Sequence, residues 1–312
     1  MIGIADLYAG IGGIRLGFEQ AFGKKNIDCV FTSEIDKYAV ETYSANFSGN
    51  NIYGDIRKIP VSDIPDHDIL LAGFPCQSFS VAGLKKGFND ERGQAFFEIE
   101  RILKFKKPKV FLLENVPNLK SINNGEIFQF MLNRLKEIGY QINYQILSGK
   151  DFGVPQNRRR LYIVGCLDHD KNFEFPEAPR TETHVSDIME NNVSESYCLS
   201  DRRWNHIQDR LKCNGTGWSS YKIFDENAFY TTTLVARYLS HPEKIMFKHP
   251  TGNPRRLTER ECARLQGFPD SFIIDKVSRS QAYKQLGNSV CVPVIKAIAK
   301  QIKKTFFTEE SV

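Results

Sequence analysis

A mostly parallel α/β sheet covered on both faces, followed by a smaller irregular domain, is predicted from two features of this chain. Short apolar runs alternate with amphipathic helical patterns through its first half, and that rhythm lapses over about 180–257. The first run, MIGIADLY, reads as a strand, and IRLGFEQAF as a helix with Ile14, Phe18, Ala21 and Phe22 on one face. CVFTSE (29–34) with KYAVETYSANF repeats the unit, then DILLAGF with GQAFFEIERILKF, then KVFLLEN (109–115) with GEIFQFMLNRLKEIG. Strand–helix units in series put parallel strands between two helical layers. YQINYQIL (140–147) and RLYIVGC (160–166) flank a polar loop and predict an antiparallel edge. Order returns at RRLTERECARLQGFPDSF, where Thr258 and Glu261 have capping-box spacing and Gly267 and Pro269 stop the helix. QAYKQLGNSVCVPVIKAIAKQI predicts a loop at 287–289 and a C-terminal helix.

Composition narrows the classes. The 312 residues are 41% hydrophobic and 25% charged, as in a soluble globular chain with room for one large domain and a smaller one. No apolar run approaches a membrane span, and the start lacks a signal-peptide pattern. The 7 cysteines (29, 76, 166, 198, 213, 262, 291) are dispersed, which predicts free thiols in a reducing compartment and neither disulfides nor a zinc site. A net charge of +5 says little; its clustering in KFKKPK (104–109), RRR (158–160), RR (202–203) and at Arg255, Arg256, Arg260 and Arg264 says more. Any one such cluster is more often a solvated face.

The candidate chemistry gathers at strand ends. DLYAGIGG (6–13) is a glycine-rich turn after the first strand, but the third place of a G-x-G-x-x-G pattern holds Arg15, so no pyrophosphate site is predicted. Glu34 ends the second strand, where a carboxylate can accept both hydroxyls of a ribose, and Asp55 in YGDI can end a third and reach an adenine amino group. Each acid alone is as readily a cap or a loop residue; together they favour an adenosine ligand without a pyrophosphate, a description that S-adenosylmethionine fits. Cys76, in AGFPCQSFS, stands at the mouth of DILLA (68–72) behind Pro75, which holds Phe74 extended. A lone cysteine there is more often a small buried hydrophobe; as a nucleophile it needs basic neighbours or helix amides to ionise. Glu114, enclosed by apolar neighbours in FLLENVP, is a candidate proton donor or an ordinary turn acid.

In this order, DLYAGIGG, EIDKYA, GDI, GFPCQSFS, RGQAFFEI, ENVPNL, GVPQNRRRLYIVG, RLTERECARLQGFPD and AYKQLGNSV resemble the blocks of the bacterial DNA (cytosine-5) methyltransferases of restriction–modification systems. The resemblance runs from the first strand to the last helix. Only about 180–257 lacks clear matches, where that family keeps its variable target-recognition segment, and Thr233 with Leu234 resembles the family's short recognition signature. The implied fold is a Rossmann-like S-adenosylmethionine-dependent methyltransferase sheet with a second, smaller irregular target-recognition domain. The implied division is 1–185 with 283–312 for catalysis and cofactor, 186–257 for recognition, and 258–282 as a hinge.

What the resemblance implies is transfer of a methyl group from S-adenosylmethionine to carbon 5 of a flipped-out cytosine in a specific duplex DNA sequence. Carbon 5 is too weak a nucleophile to attack a methylsulfonium, and addition of a thiolate to carbon 6 turns the ring into a reactive enamine. The resemblance makes Cys76 that thiolate. It has Glu114 hydrogen-bond ring nitrogen 3 and the exocyclic amine, and Arg160 with Arg158 contact the cytosine carbonyl and a nearby phosphate. Asp6, Tyr8, Ala9, Gly10, Gly12, Gly13, Glu34, Ile35, Asp55, Ile56, Gly73 and Pro75 are expected around the cofactor, with Asn288 and Ser289 brought to it by the closing helix. SFSVAGLKKGFNDERG (78–93) suits the mobile loop that supports a flipped base. Gln77, Ser80, Val81, Ala82, Lys85, Lys86 and Arg92 are expected on DNA, along with Thr233 and Arg237. Arg237 is the expected base reader, RRW (202–204) offers a second candidate, and a phosphate clamp is the other reading of both.

The expected partner is duplex DNA, with no membrane and no metal; a cognate restriction endonuclease, where one exists, would act on the same sequence without a stable complex. The chain is expected to be a monomer in the bacterial cytoplasm. Three other readings compete. A transfer-RNA cytosine-5 methyltransferase shares the fold but usually carries Pro-Pro-Cys, where this chain has Phe74 before Pro75. A catalytically silent DNA-binding protein is opposed by intact Cys76, Glu114 and Arg160. A thiol hydrolase lacks a partner, since none of the 6 histidines lies in a block that looks catalytic.

Overall fold

Ile4, Ala5 and Leu7 are shut off from solvent, as a strand covered on both faces requires. They belong to β1 (Ile2–Leu7), an inner strand of a seven-stranded sheet. The computed structural model describes residues 1–49, 51–75, 94–179, 181–213, 221–250 and 252–308. The chain forms two compact units: Met1–Leu147 with Arg159–Glu177 and Val294–Val312, and Ser148–Arg158 with Ala178–Pro293.

The first unit holds the sheet. Its strands are β1, β2 (Ile27–Ser33), β3 (Ile52–Tyr53), β4 (Ile69–Gly73), β5 (Val110–Asn115), β6 (Gln141–Ser148) and β7 (Arg159–Cys166), in the order β3-β2-β1-β4-β5-β7-β6. The pairs β1–β2, β1–β4, β2–β3 and β4–β5 are parallel, and β7 runs antiparallel to β5. The expected antiparallel edge is thus half right: β6 takes the edge, while β7 is inserted beside β5, where its buried Leu161, Ile163 and Val164 gain cover on both faces. Helices α1 (Gly13–Phe22), α2 (Lys37–Asn46), α3 (Gln94–Lys106) and α4 (Glu126–Glu137) connect the strands.

Alternation along the strands sorts the two faces. Ala5 and Leu7 of β1, Leu70 and Ala72 of β4, and Phe111 and Leu113 of β5 join Phe96, Ile99 and Leu103 of α3 and Met131 and Leu135 of α4 in one core. The opposite side of β1 carries Asp6, which meets Tyr43 of α2. There α8 (Val292–Ile302) lies against α1, because a Cβ on Gly17 would stand 2.5 Å from Ile295. The order of strands reverses between β1 and β4, so their carboxyl ends border the crevice where open α/β sheets bind ligands.

The second unit is less regular. Its small strands β8 (Ile223–Phe224) and β9 (Met246–Phe247) pair in parallel, and Leu199, Ile207 and Met246 pack with Trp204 and Tyr221. Helix α5 (Asp201–Cys213) lies in the stretch expected to be irregular; DRRWNHIQDRLKC has too few apolar residues to announce an amphipathic period. Helix α6 (Glu259–Leu265) is capped as expected, with Thr258 Oγ1 accepting from Glu261 N. Glu261 also takes Arg255 in a buried bidentate pair, both contacts at 2.7 Å. Helix α7 (Arg279–Asn288) corrects the expected loop at 287–289: Gly287 and Asn288 are helical, and Ser289 N still donates to Gln285 O at 3.0 Å. Gly287 is there for close approach, since a Cβ would stand 2.3 Å from the Val235 carbonyl carbon.

The unit boundaries differ from the expected division. Residues 148–158, the expected hinge 258–282, and 283–293 all fall in the second unit. Hydrogen bonds account for this: Gln156 Nε2 donates to Leu265 O at 2.8 Å, and its Oε1 accepts from Leu234 N at 2.8 Å.

Candidate active site

Every parallel strand of the first unit ends on the same edge of the sheet, and the expected acids and glycines lie in or just after the last residues of those strands. Across the strand order this edge presents Asp55 after β3, Glu34 after β2, residues 8–13 after β1, Gly73 to Pro75 at the end of β4, and Glu114 as the last residue but one of β5. Because β7 runs the other way, it begins where β5 ends, with Tyr162 opposite Glu114 and Leu161 opposite Asn115. Arg160, at its start, therefore reaches the same edge. Its Nε lies 3.1 Å from Glu114 Oε1, and both side chains are largely buried.

The glycine turn is set by backbone conformation. Tyr8, Gly10 and Gly12 all have positive φ (53°, 56° and 83°), costly for tyrosine and free for glycine. Gly12 admits nothing larger, for a Cβ would lie 2.2 Å from the Phe47 ring, whereas the corresponding space at Gly10 is open. Glu34 braces the turn: its two oxygens accept from Gly10 N and Asp36 N, each at 2.7 Å. A carboxylate oxygen has a second lone pair, so both remain able to accept from a ligand. Beside it Ile35 is 71% exposed, an apolar surface next to a carboxylate. Asp55 caps a short helical turn and pairs with Arg57 at 2.7 Å, whose guanidinium holds the carboxyl below its usual range. Asp6 is buried, and its Oδ1 has no hydrogen-bond partner among the described residues. An open glycine turn, a braced carboxylate beside exposed apolar surface and an orphaned buried carboxyl oxygen fit an adenosine ligand without a pyrophosphate.

Some expectations need correction. The Ile56 side chain is packed in the core, and its carbonyl accepts from Arg101 at 3.3 Å. Arg158, expected beside the substrate, is buried in the second unit, where its guanidinium donates to Leu234 O (2.8 Å), Gly287 O (3.1 Å) and Ser289 O (2.5 Å). A buried guanidinium needs acceptors, and these carbonyls supply them. Asn288 is exposed and Ser289 half-buried at the end of α7, both in the second unit. Thr233 Oγ1 donates to Asn157 O at 2.8 Å, and Arg237 is exposed. Cys76, Gln77, Ser80, Val81, Ala82, Lys85, Lys86 and Arg92, with the whole expected mobile loop, lie outside the described residues.

The sequence did not point to Asn115. Its amide donates to Phe74 O at 3.0 Å and its Oδ1 accepts from Val116 N at 2.8 Å, clamping the segment that leads to Cys76. Burial pushes the thiol of Cys166 up to about 11 and those of Cys29, Cys198 and Cys262 upward, as befits inert structural thiols.

A mostly parallel sheet whose strand order reverses between β1 and β4, with a reversed strand beside β5, defines a Rossmann-like fold. The model of the C-5 cytosine-specific DNA methylases matches residues 2–304, and the chain belongs to that family of DNA-methylating enzymes. It is 55% identical over 306 residues to the Type II methyltransferase M.NlaX of Neisseria lactamica, covering 97% of this chain and 96% of that one. It is 52% identical to M.SsoII of Shigella sonnei, covering 96% of this chain and 79% of that one. Among solved structures, the Entamoeba histolytica methyltransferase EhMeth superposes with a TM-score of 0.80 at 25% identity, over 97% of this chain and 98% of that one. The fold is therefore that of a methyltransferase. No helix among the described residues is long and apolar enough to cross a membrane.

Proposed function

We propose that this enzyme uses S-adenosylmethionine to methylate carbon 5 of a cytosine flipped out of a specific sequence in duplex DNA, through a covalent bond to Cys76. The observation that carries the reading is the shared sheet edge: a donor-type crevice at β1 and β4, and one strand further the Glu114–Arg160 pair. The segment that brings Cys76 leaves β4 between them. The family, and Type II methyltransferase relatives such as M.NlaX, support a bacterial restriction–modification role, and a cytoplasmic setting is consistent with it.

Bound S-adenosylmethionine supplies the methyl group. Glu34, the turn from Tyr8 to Gly13, Asp55 and Gly73 hold it. The Cys76 thiolate adds to cytosine carbon 6, and Glu114 hydrogen-bonds the ring to stabilise the charge that develops. Arg160, fixed by its contact with Glu114, meets the cytosine carbonyl. Loss of the carbon 5 proton and expulsion of Cys76 end the cycle. Arg158, buried against Leu234 O, Gly287 O and Ser289 O, holds the recognition segment.

Bisulfite sequencing of DNA from cells that express the protein tests this. Conversion-resistant cytosine at one recurring sequence is expected; its absence, with label from tritiated S-adenosylmethionine entering transfer RNA instead, would overturn the DNA reading. Glu34→Ala is expected to weaken S-adenosylmethionine binding by roughly 1.5–3 kcal/mol, since charge-assisted hydrogen bonds are lost and Gly10 is no longer braced. Calorimetry reads this directly, and an unchanged affinity would leave Glu34 a structural strand end.

Sequence reading is proposed for the exposed Arg237, just past the Thr233 and Leu234 pair. Losing a base contact costs about 1–3 kcal/mol at one base pair and relaxes the choice there, while losing a phosphate contact weakens all sequences alike. Methylation of a randomised duplex library by Arg237→Ala, followed by sequencing, is expected to show relaxed choice at one position. Uniformly lower yield with unchanged preference would make Arg237 a phosphate clamp.

A further inference from the structure

Beneath the glycine turn lies a buried polar cluster centred on one phenol hydroxyl. Tyr43 of α2 is wholly buried, and its hydroxyl is shared by three elements. Arg15 of α1 donates to it at 3.1 Å, it donates to Asp6 Oδ2 of β1 at 3.3 Å, and it lies 3.1 Å from Thr32 Oγ1 of β2. Arg15 is itself held by Glu19 Oε1 at 2.7 Å and lies over the Phe47 ring at 4.4 Å. Those rings are the floor of the turn: a Cβ on Gly12 would lie 2.2 Å from Phe47 and 3.0 Å from Tyr43.

We infer that Tyr43 is a positioning residue for the methyl donor, its hydroxyl holding Asp6 and Arg15 so that the turn from Tyr8 to Gly13 keeps its binding shape. The inference rests on reading this sheet edge as the donor site. A purely packing role is served by the ring alone. The hydroxyl, however, is bonded to the strand that enters the turn, to the helix that leaves it and to the strand that leads to Glu34. A phenol has a single proton to give, and an ionised Asp6 is the acceptor that fixes where it points.

Protonation of Asp6 therefore reports on the arrangement. Burial raises its pKa to about 7, while Arg15 and the Tyr43 hydroxyl pull it down and Glu34 and Glu19 push it up; the Cys29 thiol, neutral through burial, also faces the cluster. The acceptor is present above that value and lost as pH falls through it. A donor that carries a positive sulfonium also gains from the ionised form. Affinity is thus expected to rise with pH.

The test is calorimetric titration of the full chain with S-adenosylmethionine between pH 6 and 8.5. Wild type is expected to bind more tightly at high pH with an inflection near 7. Tyr43→Phe keeps the ring and removes the hydroxyl: about tenfold weaker binding at pH 8 is expected, with the inflection moved upward because Asp6 has lost a bond that favours its ionised form. Asp6→Asn is expected to show no inflection. Tyr43→Phe with wild-type affinity and an unmoved inflection would overturn the inference while leaving the donor site intact. So would a lowered Tm with equal loss of affinity for duplex DNA, which would make Tyr43 a fold element. If the wild type itself binds no S-adenosylmethionine, the donor reading fails and the inference with it.

Discussion

Cys76→Ser is expected to abolish methyl transfer, lowering turnover by a factor on the order of 10³ or more, while affinity for duplex DNA survives. A serine hydroxyl is hardly ionised at neutral pH and is harder than sulfur, so it adds poorly to carbon 6. Carbon 5 then never becomes an enamine, and a well-placed methyl donor has nothing to react with. A second measurement separates nucleophile from spectator. Duplex bearing 5-fluorocytosine at the target should form an SDS-resistant adduct with the wild type, because fluorine at carbon 5 blocks the final elimination. Near-normal turnover of the serine variant, or no adduct on the right sequence, would remove Cys76 from the mechanism. The other thiols raised by burial are poor substitutes.

Glu114→Gln is the next most damaging change, with an expected loss of about 10²–10³ in kcat from removal of one preorganised group facing developing charge. The structure adds a second cost. Glu114 Oε1 and Arg160 Nε are 3.1 Å apart with little solvent around either, and the amide leaves the guanidinium without its counter-charge. Some loss of stability is expected alongside the loss of rate, and a Tm measurement separates the two. Equal activity of the glutamine variant at saturating DNA would return Glu114 to a structural role. Arg160→Lys is expected to be nearly as harmful, because an ammonium lacks the planar fork.

Much of this was legible from the chain because the informative features are local. A glycine turn after a strand, acids following strands, and a capping box at Thr258 and Glu261 each involve a few adjacent residues, and each lies where expected. Helix α5 stayed hidden because its polar composition blurs the helical period. Arg158 and Arg160 are two residues apart in one basic run, yet one is buried against three carbonyls and the other pairs with Glu114. Nothing in RRR separates them, since the partners of Arg158 come from 234, 287 and 289. Gly287 signalled a break, as glycine usually does, although here it serves close approach within a helix. Tyr43 escaped notice for the same long-range reason: the partners of its hydroxyl become neighbours only once β1, β2, α1 and α2 are assembled.

The close approach at Gly287 bears on how such an enzyme can be re-targeted. The backbone at Val235 and Ala236 runs against Gly287, Leu234 is held by Gln156 and Arg158, and the side chains of Val235 and Arg237 are exposed. Main chain is pinned there and side chains are not. On the proposed reading of Arg237, a library that randomises 235 and 237 would sample new preferences on an unaltered scaffold. A chimera that takes 233–237 from one parent must take 154–158 and 265–289 from the same parent. A junction between them sets foreign backbone against the close approach at Gly287 and against the three carbonyls that hold Arg158.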